Sequence, residues 1–299
     1  MHEEQFSYVH KLVLTALMAA INIVFVVLNI YVPVLGLALV LFLPIASVIV
    51  ALKVELRFYP IYFVTTLVLS FALSFGQIDT TLFLVLPSLI IGLTIGTLLR
   101  LNVKDIYTLL IVSAVTFLLM LLTIPLINLL LEVDFVATFL LFLGLSSKPY
   151  GVVIFPALMA MFSLAQTVLI LYIVKFSRFF LSFPINEEFA PYAPLVALLL
   201  AALSFGLYFI YEPIALVLVL YSLVIVLYIL ITFYEKALKT GLIVTIAAVM
   251  ITLFLITIFE SLTSLPFYLA FNIMFVLIVI THYLWLYIDI KLGKEKDDG

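Results

Sequence analysis

Two carboxamides interrupt the apolar run T-A-L-M-A-A-I-N-I-V-F-V-V-L-N that begins at Thr15: Asn22 and Asn29 stand where lipid-facing residues are expected. An Asn side chain brings two N–H donors and a carbonyl acceptor, and hydrocarbon leaves them unmet at a cost of several kcal/mol. At about 100° per residue, Thr15, Asn22 and Asn29 fall within about 40° of one another, whereas Ala16 and Ala20 lie about 100° or more away round the helix. One face of this helix is therefore polar and must meet protein or water. The other is small and lets a second backbone approach closely. Packing and hydrogen bonding within the chain's own bundle account for both faces equally well.

Further polar groups gather beside the same helix end. Tyr31 follows helix 1, Gln77 and Asp79 stand in F-G-Q-I-D-T-T, Asn128, Glu132 and Asp134 end helix 5, and Lys148 and Tyr150 open helix 6. An apolar cavity with a few convergent polar groups under a cover is how small-ligand sites are commonly built. Asn22, Asn29, Tyr31, Gln77, Asp79, Asn128, Glu132, Lys148 and Tyr150 are thus the candidate substrate-binding residues. Acidic groups at a helix end also simply solvate the membrane interface. A pocket of Leu, Val and Phe with a few amides names no particular ligand.

Enzyme chemistry has nothing to start from. The chain carries no phosphate-binding G-x-x-x-x-G-K-[ST] loop, no H-E-x-x-H zinc pair and no G-x-S-x-G nucleophile turn, and its three histidines are His2, His10 and His282. His282 sits among Tyr283, Trp285 and Tyr287, the composition of an interfacial aromatic belt. There is no cysteine, which excludes disulfides and thiolate ligands. No basic cluster with interleaved aromatics is present, so no nucleic-acid partner is expected. Neither a cofactor nor a catalytic residue is assigned.

These residues must be positioned by membrane helices. The chain is 68% hydrophobic and 10% charged with a mean hydropathy of +1.45, more apolar surface than a water-soluble fold can hide. The predicted fold class is all-α, a polytopic transmembrane bundle of about ten helices at 12–30, 37–52, 58–76, 82–99, 106–130, 151–174, 192–210, 214–233, 241–259 and 268–288. Helix 2 is short, and Pro44 within it predicts a tilt or a break. The apolar stretch 135–145 is too short to span and is expected to be re-entrant or interfacial. Gly92 and Gly96 form a G-x-x-x-G pair whose ordinary role is close helix packing.

Charge orients the bundle. With the N-terminus cytoplasmic, Lys11, Lys53, Arg57, Arg100, Lys104, Lys175, Arg178, Lys236, Lys239, Lys291, Lys294 and Lys296 all fall inside, and only Lys148 of the 13 basic residues falls outside. Both termini are then cytoplasmic, in a multi-pass protein of the plasma membrane. The acidic N-terminus reads as the start of a retained helix rather than a cleaved signal. The Pro-rich segment 181–194 separates a six-helix region, 1–180, from a four-helix extension, 195–299. An A-L-M-A echo at 16–19 and 157–160 is the one sign of an internal repeat, and unequal helix spacing after the two copies argues against it.

The first 178 residues carry a resemblance. Six helices with the N-terminus inside, A16-L-M-A-A20 on helix 1, the Y31-V-P-V-L-G turn and S147-K-P-Y-G-V-V-I-F-P-A-L before helix 6 resemble the S components of energy-coupling-factor vitamin transporters, and most closely the YybS-like membrane proteins related to them. The resemblance implies a small membrane protein that captures a micronutrient-like molecule at its outer face. It further implies that Ala16 and Ala20 dock onto a transmembrane coupling subunit driven by ATPases, with the polar stripe of helix 1 turned to the interior. Helices 7 to 10 exceed the usual six, and the YybS-like proteins bring no established ligand.

Two other readings stand beside substrate capture: a self-sufficient secondary transporter of ten helices, and a non-transporting membrane scaffold. Proton coupling would need ionisable groups near the bilayer middle, and this map puts none there. The topology is directly testable because the chain lacks cysteine. Lys148→Cys should react with a membrane-impermeant maleimide in intact cells, and Lys239→Cys only after lysis; the reverse pattern would invert the assigned orientation.

Overall fold

The computed structural model describes residues 8–32, 36–54, 56–74, 81–144, 151–181, 190, 192–236, 268–269, 271–273, 275–280 and 283. Among these, all regular structure is helical: α1 Tyr8–Tyr31, α2 Gly36–Lys53, α3 Tyr59–Leu73, α4 Leu86–Arg100, α5 Asp105–Leu131, α6 Phe135–Phe142, α7 Gly151–Leu181, α8 Ala193–Tyr208 and α9 Glu212–Lys236. A further short apolar helix covers Phe271–Ile280. The expected helix at 241–259 lies outside the described residues. Among the described residues, six stretches are long and apolar enough to cross a membrane: Tyr8–Tyr31, Leu56–Leu73, Thr81–Arg100, Asp105–Leu130, Val153–Phe176 and Glu212–Ile231.

Two expectations about short elements resolve differently. Helix α2 runs without a break through Pro44, over 18 residues. Segment 135–145 forms an eight-residue helix, α6, about 12 Å long at 1.5 Å per residue, well short of the roughly 30 Å of a hydrocarbon core.

The chain divides into two compact units, 1–138 with 162–188, and 139–161 with 189–299. In the first, α2 and α4 run in the same direction at very close approach. A Cβ on Gly92 would collide with the Ser47 Cβ and lie 2.6 Å from the Pro44 carbonyl oxygen, and one on Gly96 would collide with the Ala51 Cβ. Only hydrogen fits at either position. Beside this contact Val48, Ile91, Ile95 and Leu99 pack with Val112 of α5 and with Ile170 and Val174 of α7. Lys175 of α7 forms an ion pair with Asp105 at the start of α5.

The second unit uses the same device with alanine. Ala193, Ala197, Ala201 and Ser204 are the buried face of α8, and α9 packs closely against that helix. The Ser222 hydroxyl of α9 donates to the Ala197 carbonyl at 2.9 Å, and Asn272 Nδ2 donates to Ser204 Oγ at 2.8 Å.

Side-chain distribution is that of a bundle in hydrocarbon. Leu118, Leu122, Leu129, Phe162 and Val168 are exposed, while Ser47, Thr66, Ser70, Thr108, Ser113, Ser163 and Thr167 are completely buried. Apolar side chains are turned outward, as lipid requires, and polar ones are turned inward among the helices.

The α2–α4 contact predicts opposite signs for two glycine substitutions. Gly92→Ala should destabilise the detergent-solubilised protein by about 1–3 kcal/mol through overpacking. Gly206→Ala, where an added Cβ meets nothing within 4 Å, should be neutral or stabilising by up to about 1 kcal/mol. Thermal melts of the two variants decide the matter; equal shifts would mean that the α2–α4 spacing tolerates a methyl group.

Candidate functional site

The first unit contains a cavity of about 150 Å³. Its walls come from Val40 near the start of α2, Phe83 and Leu84 in the turn before α4, Pro87, Ser88 and Ile91 on α4, Thr116, Leu119, Met120 and Thr123 on α5, and Gln166 on α7. The turn is of the wide π type over Thr81–Val85 and runs directly into α4. Pro87 has no N–H to give the Phe83 carbonyl four residues back, so the tight α-type bond cannot form there. The widened turn places Phe83 and Leu84 in the cavity wall.

Four polar side chains line an otherwise apolar chamber. Ser88 donates its hydroxyl proton to the Leu84 carbonyl at 2.6 Å, Thr116 to Val112 at 2.8 Å and Thr123 to Met120 at 2.8 Å. Gln166 Nε2 reaches the Val40 carbonyl at 3.5 Å, the outer limit of a hydrogen bond. No lining residue carries a charge.

Beside the cavity, α3 buries a face made of Tyr59, Tyr62, Thr66 and Ser70. Asn22 Nδ2 of α1 donates to the Tyr62 phenol oxygen at 2.7 Å, and that phenol lies 3.1 Å from Ser47 Oγ of α2. Tyr59 donates to the Leu89 carbonyl of α4 at 2.5 Å. Three helices are thus tied through one phenol and the fourth through its neighbour. Among the described residues, Asn22 Oδ1, Thr66 Oγ1 and Ser70 Oγ are buried without a hydrogen-bond partner of acceptable geometry. Ser74 and Thr81 join across the α3–α4 connection at 2.8 Å.

The residues singled out in the sequence are spread over several roles. Thr15 and Asn22 are buried and Asn29 half-buried, so the polar stripe of α1 faces inward. Ala16 and Ala20 are exposed on α1. Tyr31 is 80% exposed. Asn128 Oδ1 accepts the Phe135 N–H at 3.0 Å and Asp134 Oδ1 accepts the Ala137 N–H at 3.0 Å, so both support the start of α6. Glu132 is exposed and ends α5 in a left-handed conformation with φ of 53°. Gln77, Asp79, Lys148 and Tyr150 lie outside the described residues.

None of the five described candidates lines the cavity. The cavity's polar groups are Ser88, Thr116, Thr123 and Gln166, which sequence reasoning passed over. Gln166 had a usable signal, a carboxamide within the long apolar run 151–174, the same feature that drew notice to Asn22. The three hydroxyls had none, because Ser and Thr are common on membrane helices, where they bond their own backbone.

With this arrangement in view, comparison with known proteins adds one finding. Residues 20–147 match the model of a family described as "Predicted membrane protein (DUF2232)". The chain is a membrane protein. The match runs from the middle of α1 through α6, and so takes in Asn22, Tyr62, Ser88, Thr116 and Thr123 but stops before Gln166. No curated protein and no solved structure matches the chain.

The polar tie at Tyr62 can be tested by removing one atom. Tyr62→Phe leaves the Asn22 amide buried without its acceptor and should cost about 1–3 kcal/mol in a thermal or denaturant melt. Asn22→Leu added to Tyr62→Phe should cost much less than the sum of the two single changes. Additive losses would show that the two residues act independently.

Proposed function

We propose that this membrane protein captures a compact small molecule in the cavity of its first unit, for uptake together with a partner energising module. The observation that carries the reading is the cavity itself. It is apolar, is furnished with one carboxamide and three hydroxyls, and is set in the half of the unit nearer the starts of α2 and α4. If both termini are cytoplasmic, that half is the outer one. A chamber of about 150 Å³ is the size that admits a benzene-like molecule.

The exposed small face of α1 supports a docking role. Ala16 and Ala20 are exposed, and a close-approach surface left open among the described residues suits another membrane helix. The resemblance to transporter S components points the same way. An ion-driven transporter is the weaker reading, because the cavity offers no ionisable group for proton coupling.

The test is native mass spectrometry of the protein purified gently from its own host. Expected are a bound small molecule and copurifying subunits including ATPases, with the subunits lost from an Ala16→Leu/Ala20→Leu variant that keeps its wild-type melting temperature. A bare monomer without ligand would remove the capture reading. A complex that survives both leucines would remove the docking assignment.

A further inference from the structure

The hydrogen-bond accounts of the cavity walls restrict what it can hold, taking the cavity as the capture site proposed above. Ser88, Thr116 and Thr123 each spend their single hydroxyl proton on a carbonyl of their own helix. A hydroxyl so engaged has no donor left, and turns lone pairs to the chamber. Gln166 adds a carbonyl acceptor and two N–H donors, one of which reaches the Val40 carbonyl at 3.5 Å. The polar lining therefore presents four acceptor groups, three hydroxyl oxygens and one carbonyl, against the N–H groups of the single carboxamide.

From this we infer that the ligand is a neutral hydrogen-bond donor with an apolar body, of about the size of a monocyclic aromatic alcohol or amide. An anion finds no cation and few donors among the lining residues, and its desolvation would go uncompensated. A purely apolar molecule would leave the acceptors of Thr116, Thr123 and Gln166 dry and unpaired. A donor group supplies what they lack, while Phe83, Leu119 and Met120 cover the remainder of the molecule.

Three probes of matched size separate these cases: phenol, toluene and benzoate, each titrated against the full chain in lipid nanodiscs by ligand-observed NMR. Phenol should bind about tenfold tighter than toluene, the discrimination one buried hydrogen bond provides, and benzoate should not bind. In a Thr116→Val/Gln166→Leu variant the preference of phenol over toluene should vanish while toluene binding persists or improves, which also shows that the chamber remains folded. Equal binding of phenol and toluene by the wild-type protein, or tighter binding of benzoate, would overturn the donor assignment and leave the cavity as a binding site. A phenol preference that persists in the double variant would place the probe elsewhere and overturn the assignment too. Absence of binding by all three would instead count against the capture reading itself.

Discussion

Contact without side chains, where α4 meets α2 at Gly92 and Gly96, governs the spacing of the first unit. In hydrocarbon, apolar side chains gain little by leaving lipid for one another, so helices associate where backbones can come close. At Gly92 the approach is so tight that even a methyl group would strike Ser47 and the Pro44 carbonyl. This fixes α2 in front of α4 and holds Ser47 at the height of the Tyr62 phenol. The phenol in turn anchors Asn22 of α1.

A second constraint, that every polar group in lipid must find a partner, shapes what surrounds that contact. Most hydroxyls meet it locally, as Thr15, Thr116 and Thr167 do by donating to the carbonyl four residues back. Carboxamides are too demanding to be met by one turn of helix. Asn22 bonds across to α3, and Asn272 to α8 in the second unit. Gln166 reaches Val40 only at 3.5 Å and also lines the open chamber. Gln166, held only weakly by the chain, thus faces the cavity, which is what a ligand-orienting group requires.

Much of this was legible beforehand where the cause is local. Asn22 was readable as an inward-facing group because a buried amide needs protein around it, and the spacing of Thr15 and Asn22 places both on one stripe, which the bundle buries. The pair Gly92 and Gly96 was readable as packing for the same kind of reason. Asn128 was not readable as a support for α6, since its role depends on how the chain turns at Glu132 before Phe135. The cavity residues were the least legible, because Ser88, Thr116 and Thr123 matter through which direction their lone pairs face once four helices have met.

By itself the sequence determined that this is a helical membrane protein, where most of its spans lie and which face of α1 must be turned inward. Those properties follow from hydropathy, length and 3.6-residue periodicity, each of which acts within one segment. Only the tertiary structure decided that α2 stays whole through Pro44, that α1, α2 and α3 share one phenol, and that an open chamber lies among α2, α4, α5 and α7. A cavity is space left over when several helices pack, so it depends on distances between segments far apart in the chain, and no single segment carries that information.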